Sequence, residues 1–220
     1  MLILDHVTKS YKLKGVRKVI LDDLSLDFPQ HKNVGIMGQN GQGKSTMMRL
    51  LAGVEPPDSG KIYRSQKVSW PLGFAGGFNG SMTGIENIRF VARIYGEDVR
   101  RVINYVTDFA ELGLSIKLPI KTYSSGMKAR LAFGLSMAIN FEVYLIDETT
   151  AVGDENFRKK CHHVFKEKLK NSQIIMISHS AGTIKEYCDC GLLLDKGKVT
   201  YFEEIDDLLL AYNEVNKKRT

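Results

Sequence analysis

Gly38-Gln39-Asn40-Gly41-Gln42-Gly43-Lys44-Ser45-Thr46 separates an apolar run, Val34-Gly35-Ile36-Met37, from a helix-forming one, Met47 to Ala52. Few folds are open to a chain with this order of strand, glycine-rich turn and helix. The spacing is G-x-x-x-x-G-K-S, that of a phosphate-binding loop. A polyphosphate needs many donors converging on a small volume. Successive backbone N–H groups supply them where glycines leave the backbone open. The helix N-terminus behind the loop adds unsatisfied N–H groups and a favourable dipole. Lys44 is placed to reach the β- and γ-phosphates of a nucleotide, and Ser45 to hold Mg²⁺.

The 220 residues, 43% hydrophobic and 25% charged, can bury a large core and fit one domain. No apolar run reaches bilayer length. Met1-Leu2-Ile3-Leu4-Asp5 has no basic segment ahead of its apolar residues, so a secretory signal is not expected. Action at a membrane would need a partner to hold the chain there. Cys161, Cys188 and Cys190 are odd in number and lack framework spacing, which points to a reducing compartment. Cys161-His162-His163 suggests a metal cluster only on paper, because adjacent helical residues point in different directions. The net charge of +6 suits anionic surfaces in general. No nucleic-acid recognition module accompanies it, so no nucleic-acid partner is expected.

Along the chain, residues 2–10 and 19–28 read as strands of an early antiparallel sheet, with a basic, turn-rich piece from Lys12 to Lys18 between them. Pro56-Pro57-Asp58-Ser59-Gly60 is a turn before a short strand at Lys61-Ile62-Tyr63. Gly73, Gly76, Gly77 and Gly80 crowd the next stretch, which predicts no regular element. Thr83 and Glu86 form a capping-box pattern ahead of a helix running through Ile94. Val102, Val106, Phe109 and Leu112 recur at helical spacing over 98–113, and Gly113 is the expected stop. A third helix is predicted over about 126–139. Short apolar runs at 143–146 and 174–177 fit buried parallel strands, and helices are expected at about 156–170, 181–187 and 203–216. Strand and helix alternate, so the fold is α/β with a mostly parallel sheet.

Asp147 and Glu148 close the run Val143-Tyr144-Leu145-Ile146. Their side chains leave a strand on opposite sides. One carboxylate can then organise Mg²⁺ while the other faces an attacking water, which suits hydrolysis better than simple binding. His179 follows a second apolar strand; it could contact the γ-phosphate or position water, or be a hydrogen-bonded core histidine. Tyr11, after the first strand, could stack on a purine or simply pack. Ser124-Ser125-Gly126-Met127 opens a helix with hydroxyls and N–H groups facing outward, an anion-facing surface or an ordinary serine cap.

The ordered set Tyr11, Gly38–Thr46, Ser124–Met127, Val143–Glu148, Asp154 and His179 resembles the ATP-binding-cassette ATPases over essentially the whole chain. The resemblance implies a P-loop NTPase fold with an N-terminal antiparallel β subdomain and an inserted helical subdomain. It implies an ATP-binding core at 1–79 and 140–202, a helical, signature-bearing part at 80–139, and a C-terminal helix and tail at 203–220. Tyr11 then matches the adenine-stacking aromatic. Gly38, Gln39, Asn40, Gly41, Gln42, Gly43, Lys44, Ser45 and Thr46 match the phosphate and Mg²⁺ residues, and Asp147 the Mg²⁺-organising aspartate. Glu148 and His179 match the catalytic glutamate and switch histidine, acting with Lys44. Ser124, Ser125 and Gly126 stand in the signature, usually Leu-Ser-Gly-Gly-Gln, of which the first serine and second glycine remain. Trp70-Pro71-Leu72-Gly73-Phe74 stands where the family usually has a glutamine, so coupling to a partner must use other groups.

Ser69–Phe78, Tyr123–Met127 and Thr150–Asp154 are similar to one branch, the ATPase subunit of bacterial capsular polysaccharide exporters. This implies ATP and Mg²⁺ as cofactors, a head-to-tail homodimer, and a permease dimer bound through residues 70–95. It also implies a peripheral place on the cytoplasmic side of the inner membrane, with no direct contact to the glycan. A chain ending at 220 is expected to lack the added glycan-binding domain of O-antigen exporters. Another exporter, for O-antigen, teichoic acid or drugs, or a soluble ATPase not coupled to transport, is the alternative.

Overall fold

The computed structural model describes residues 1–13, 15–72, 77–147 and 155–217. Among them run nine strands: β1 (Leu2–Leu13), β2 (Val16–Asp27), β3 (Val34–Met37), β4 (Ser59–Arg64), β5 (Val68–Pro71), β6 (Val143–Asp147), β7 (Gln173–Ile177), β8 (Cys190–Asp195) and β9 (Lys198–Phe202). Seven α-helices accompany them: α1 (Lys44–Leu51), α2 (Gly84–Ile94), α3 (Val99–Ala110), α4 (Ser125–Ala138), α5 (Glu155–Leu169), α6 (Ala181–Tyr187) and α7 (Ile205–Lys217). The chain forms two compact units, Met1–Pro71 with Glu142–Glu148 and Ser172–Thr220, and Leu72–Phe141 with Thr149–Asn171.

The first unit holds both sheets. One is six-stranded, in the order β5-β6-β7-β3-β8-β9, and every neighbouring pair is parallel except β8 and β9. All of β3 is buried, as are Val143–Ile146 of β6 and Ile174–Ile177 of β7. Burial on both faces explains why these strands read as unbroken apolar runs rather than alternation. The β8–β9 turn puts Lys196 and Gly197 at φ 50° and 78°, the paired left-handed geometry that a two-residue hairpin requires.

The second sheet is antiparallel, in the order β2-β1-β4. Here the expected turn-rich piece at 12–18 is corrected: pairing continues through Tyr11↔Lys18 and Lys12↔Arg17 to Leu13↔Val16. Val16 to Val19 of β2 are exposed, so this end of the strand has no burial to write an apolar alternation into the sequence. Leu4, Val7, Leu21 and Leu24 from this sheet join Met47, Leu50 and Leu145 in one buried core.

The second unit is helical. Glu86 N donates to Thr83 Oγ1 at 3.2 Å and Thr83 N to Glu86 Oε2 at 2.8 Å, so the capping box forms and starts α2. α3 stops at Ala110, with Glu111 in the left-handed conformation at φ 55°, three residues before the expected end. The last carbonyls are satisfied from outside the helix. Lys160 Nζ donates to Phe109 O at 3.1 Å and pairs with the Glu111 carboxylate at 2.5 Å, setting a cation on the helix C-terminus. Gly113 instead opens a short 3₁₀ turn, Gly113–Lys117. Every residue of α4 from Leu131 to Ala138 is buried.

Candidate functional site

Strand register decides what meets at one edge of the parallel sheet. Ile36 of β3 pairs with Ile177 of β7, and Ile177 pairs with Asp147 of β6. The loop after β3, the Asp147 carboxylate and the Ser178-His179 pair after β7 therefore leave the sheet in one row. This is the carboxyl edge, where open α/β sheets hold ligands.

The loop turns tightly. A side chain at Gly38 would run into the Leu194 carbonyl oxygen of β8. Gly43 caps α1 at φ 106°, and a methyl there would strike the Ile20 side chain. Glycine is what lets the backbone pass both points. Lys44 is only 7% exposed. Its ammonium folds back over its own loop, donating to Gly38 O at 2.6 Å and Gln39 O at 3.0 Å. Gln42 Oε1 accepts from Lys196 N at 2.8 Å, which ties the loop to the β8–β9 turn. Thr46 is buried and accepts from Arg49 Nη2 at 3.2 Å, while Asn40, Gly41 and Ser45 are exposed.

Ser45 Oγ donates to Asp147 Oδ2 at 3.1 Å. A hydroxyl and a carboxylate are hard oxygen donors of the kind Mg²⁺ takes. Beside them stand a buried ammonium and the open first turn of α1, which fit a polyphosphate. The donor set therefore suits a Mg²⁺-nucleotide.

The Tyr11 ring packs against the core, and its hydroxyl is anchored: it donates to Glu55 Oε2 at 2.8 Å and accepts from Arg49 Nη2 at 3.0 Å. Lys9 Nζ lies 3.0 Å from Glu55 and 5.6 Å from the Tyr11 ring centre. Burial alone would lift the Glu55 carboxyl, but the Tyr11 hydroxyl, Lys9 and Arg49 together hold it below its ordinary value. Burial likewise opposes the charge on Lys9, and Glu55 and Asp58 outweigh it, so the ammonium is held above its usual range.

His179 is exposed, and its Nδ1 lies 3.2 Å from the Tyr212 hydroxyl of α7. Ser124 belongs to the helical unit and N-caps α4, its Oγ accepting from Met127 N at 3.2 Å; Ser125 is exposed and Gly126 half-buried. Glu148, Thr150, Asp154, Gly73, Phe74 and Gly76 lie outside the described residues. Cys161 and Cys188 are buried, which pushes both thiols up to about 12. His162 and His163 beside Cys161 are exposed.

Sequence reasoning overlooked Glu55, Arg49, Tyr212 and Asn216. For the last two a signal existed in the four-residue spacing of Leu208, Tyr212 and Asn216.

A family model described as ABC transporter matches residues 21–151. The polysialic acid transport ATP-binding protein KpsT of Escherichia coli is 46% identical over 217 residues, 97% of this chain and 99% of that protein. The capsule polysaccharide export ATP-binding protein CtrD of Neisseria meningitidis serogroup B is 46% identical over 215 residues, 98% of this chain and 100% of that protein. A solved dimeric, post-hydrolysis structure of the ATP-binding cassette MJ0796 bound to ADP and Pi superposes with a TM-score of 0.72, at 21% identity over 93% of this chain and 99% of that one. At that identity the likeness concerns the fold alone.

Proposed function

Because this chain belongs to the ABC transporter family of ATPases, we propose that it energises export of capsular polysaccharide across the bacterial inner membrane through a separate permease. What supports this reading above all is the near-full-length identity of 46% to two relatives named for polysialic acid transport and capsule polysaccharide export.

ATP sits on Gly38–Thr46, its adenine against Tyr11 and its phosphates among the first-turn N–H groups of α1. The Lys44 ammonium exchanges the Gly38 and Gln39 carbonyls for phosphate oxygens. Such an exchange costs little, because one charge-assisted set replaces another. Ser45 and Asp147 would hold Mg²⁺, which would supply positive charge to the phosphates. Glu148 takes the proton of the attacking water, and His179 donates to the γ-phosphate. A second copy covers the nucleotide with Ser124, Ser125 and Gly126, so the triphosphate is part of the dimer interface and its hydrolysis releases it.

In this reading the ATP-binding core spans 1–79 and 140–202, and the signature lies in 80–139. The permease binds through residues 70–95. Exposure of Phe90 and Ile94 on α2, 55% and 61%, supports a partner surface there. No helix among the described residues is long and apolar enough to cross a membrane. In this reading the chain acts peripherally, from the cytoplasmic side.

The test is deletion of the gene in a capsulated host, with complementation by wild-type chain or by Lys44→Ala. Surface polymer should vanish, accumulate inside, and return only with the wild type. Unchanged surface polymer in the deletion strain would refute the assignment.

A further inference from the structure

α7 touches the site twice. Leu208, Tyr212 and Asn216 are spaced at i, i+4 and i+8, so they share one face of the helix. Leu208 is fully buried and seats in a notch at Gly191 of β8, where any side chain would collide with it. Gly191 pairs with Gly35 of β3, so the anchor lies beside the strand that leads into the phosphate loop. One turn on, the Tyr212 hydroxyl meets His179 Nδ1 at 3.2 Å. Another turn on, Asn216 Oδ1 accepts from Gln39 Nε2 of the loop at 3.0 Å, and Gln39 Nε2 also points to Val215 O at 3.4 Å.

We infer that α7 is a strut of the catalytic site: Tyr212 positions and orients His179, and Asn216 positions the phosphate loop through Gln39. The inference rests on the catalytic role proposed above for His179. A phosphate oxygen only accepts, so His179 serves it through an Nε2–H. In a neutral imidazole that leaves Nδ1 an acceptor, open to a donor. The Tyr212 O–H is that donor. It selects the Nε2–H tautomer and fixes the ring plane, as an outer partner does for a metal-bound histidine. Tyr212 and Asn216 need not touch the nucleotide; they act through His179 and Gln39.

Steady-state ATPase kinetics of the full chain should therefore divide along the helix. Tyr212→Phe should lower kcat about tenfold with KM for ATP unchanged, as expected for one lost orienting hydrogen bond. Asn216→Leu should instead raise KM about fivefold through a less ordered loop. The ¹⁵N resonance of His179 Nδ1 should move in Tyr212→Phe relative to wild type. An unmoved resonance together with wild-type kcat, in a protein where His179→Ala is inactive, overturns the strut. Full turnover in His179→Ala overturns instead the site reading on which the strut rests. Should Asn216→Leu not fold, Tyr212→Phe removes a single oxygen and still decides.

Discussion

The Ser45 hydroxyl and the Asp147 carboxylate, 102 residues apart in sequence, meet at 3.1 Å. Strand order brings them together, because β7 alone separates β6, which carries Asp147, from β3, whose loop leads into α1 and Ser45. Asp147→Asn keeps the shape of that pair and removes its charge. The Mg²⁺ concentration for half-maximal ATPase activity should rise at least tenfold. A Mg²⁺ titration at saturating ATP measures it. An unchanged midpoint would take Asp147 out of the metal site.

Lys44 is buried against carbonyl groups of its own loop, so its ammonium is poised rather than solvated. Wild-type protein should gain about 2.7 kcal/mol of stability from MgATP at a hundred times its Kd. Lys44→Met should fold and lose most of that gain. Differential scanning fluorimetry with and without MgATP reads both, and equal ligand-induced shifts in the two proteins would count against the loop as the nucleotide site.

Gly43→Ala forces a methyl at φ 106° toward Ile20. Backbone strain of about 1–3 kcal/mol should appear as a lower urea midpoint. Ile20→Ala itself loses core packing, so it serves as the reference: Gly43→Ala added to Ile20→Ala should cost less than Gly43→Ala in wild type, but not nothing. No added cost in that background would mean that the collision, rather than the dihedral, dominates.

Glu55 should make the Tyr11 anchor sensitive to acid. Its folded carboxyl lies below the ordinary value of 4.5, so its contribution is complete above that pH and drains away as pH falls through the lower folded value. Wild type and Glu55→Gln should then differ in stability at neutral pH and converge well below 4.5. Urea unfolding across that range tests the sign, and a gap that widens on acidification would reverse it.

Glu148→Gln should retain ATP binding and lose about 10²–10⁴-fold in turnover, the usual worth of a general base. With hydrolysis blocked, MgATP should hold two copies together. Gel filtration in MgATP that returns only monomer would oppose the interface role of the nucleotide.

The features legible in the sequence were local ones. The glycine pattern, the capping box at Thr83 and Glu86, and the buried runs of β6 and β7 each write their geometry into adjacent residues. The exposed end of the β1–β2 hairpin was hidden because charged residues on both strands carry no burial signal. The end of α3 was misread because Lys160, far along the chain, caps it, so glycine was not needed. Tyr212 and Asn216 escaped for the same reason: their partners lie 33 and 177 residues away. A polar helical face looks the same whether it meets water or another part of the chain.

Ile36, Ile177 and Asp147 share one line of pairing across three strands. Inserting a single residue in β7 would slide that line and turn His179 to the opposite side of the sheet, though every residue of the site would still be there. The chain should thus tolerate added length in its outer turns far better than one extra residue in its middle strands.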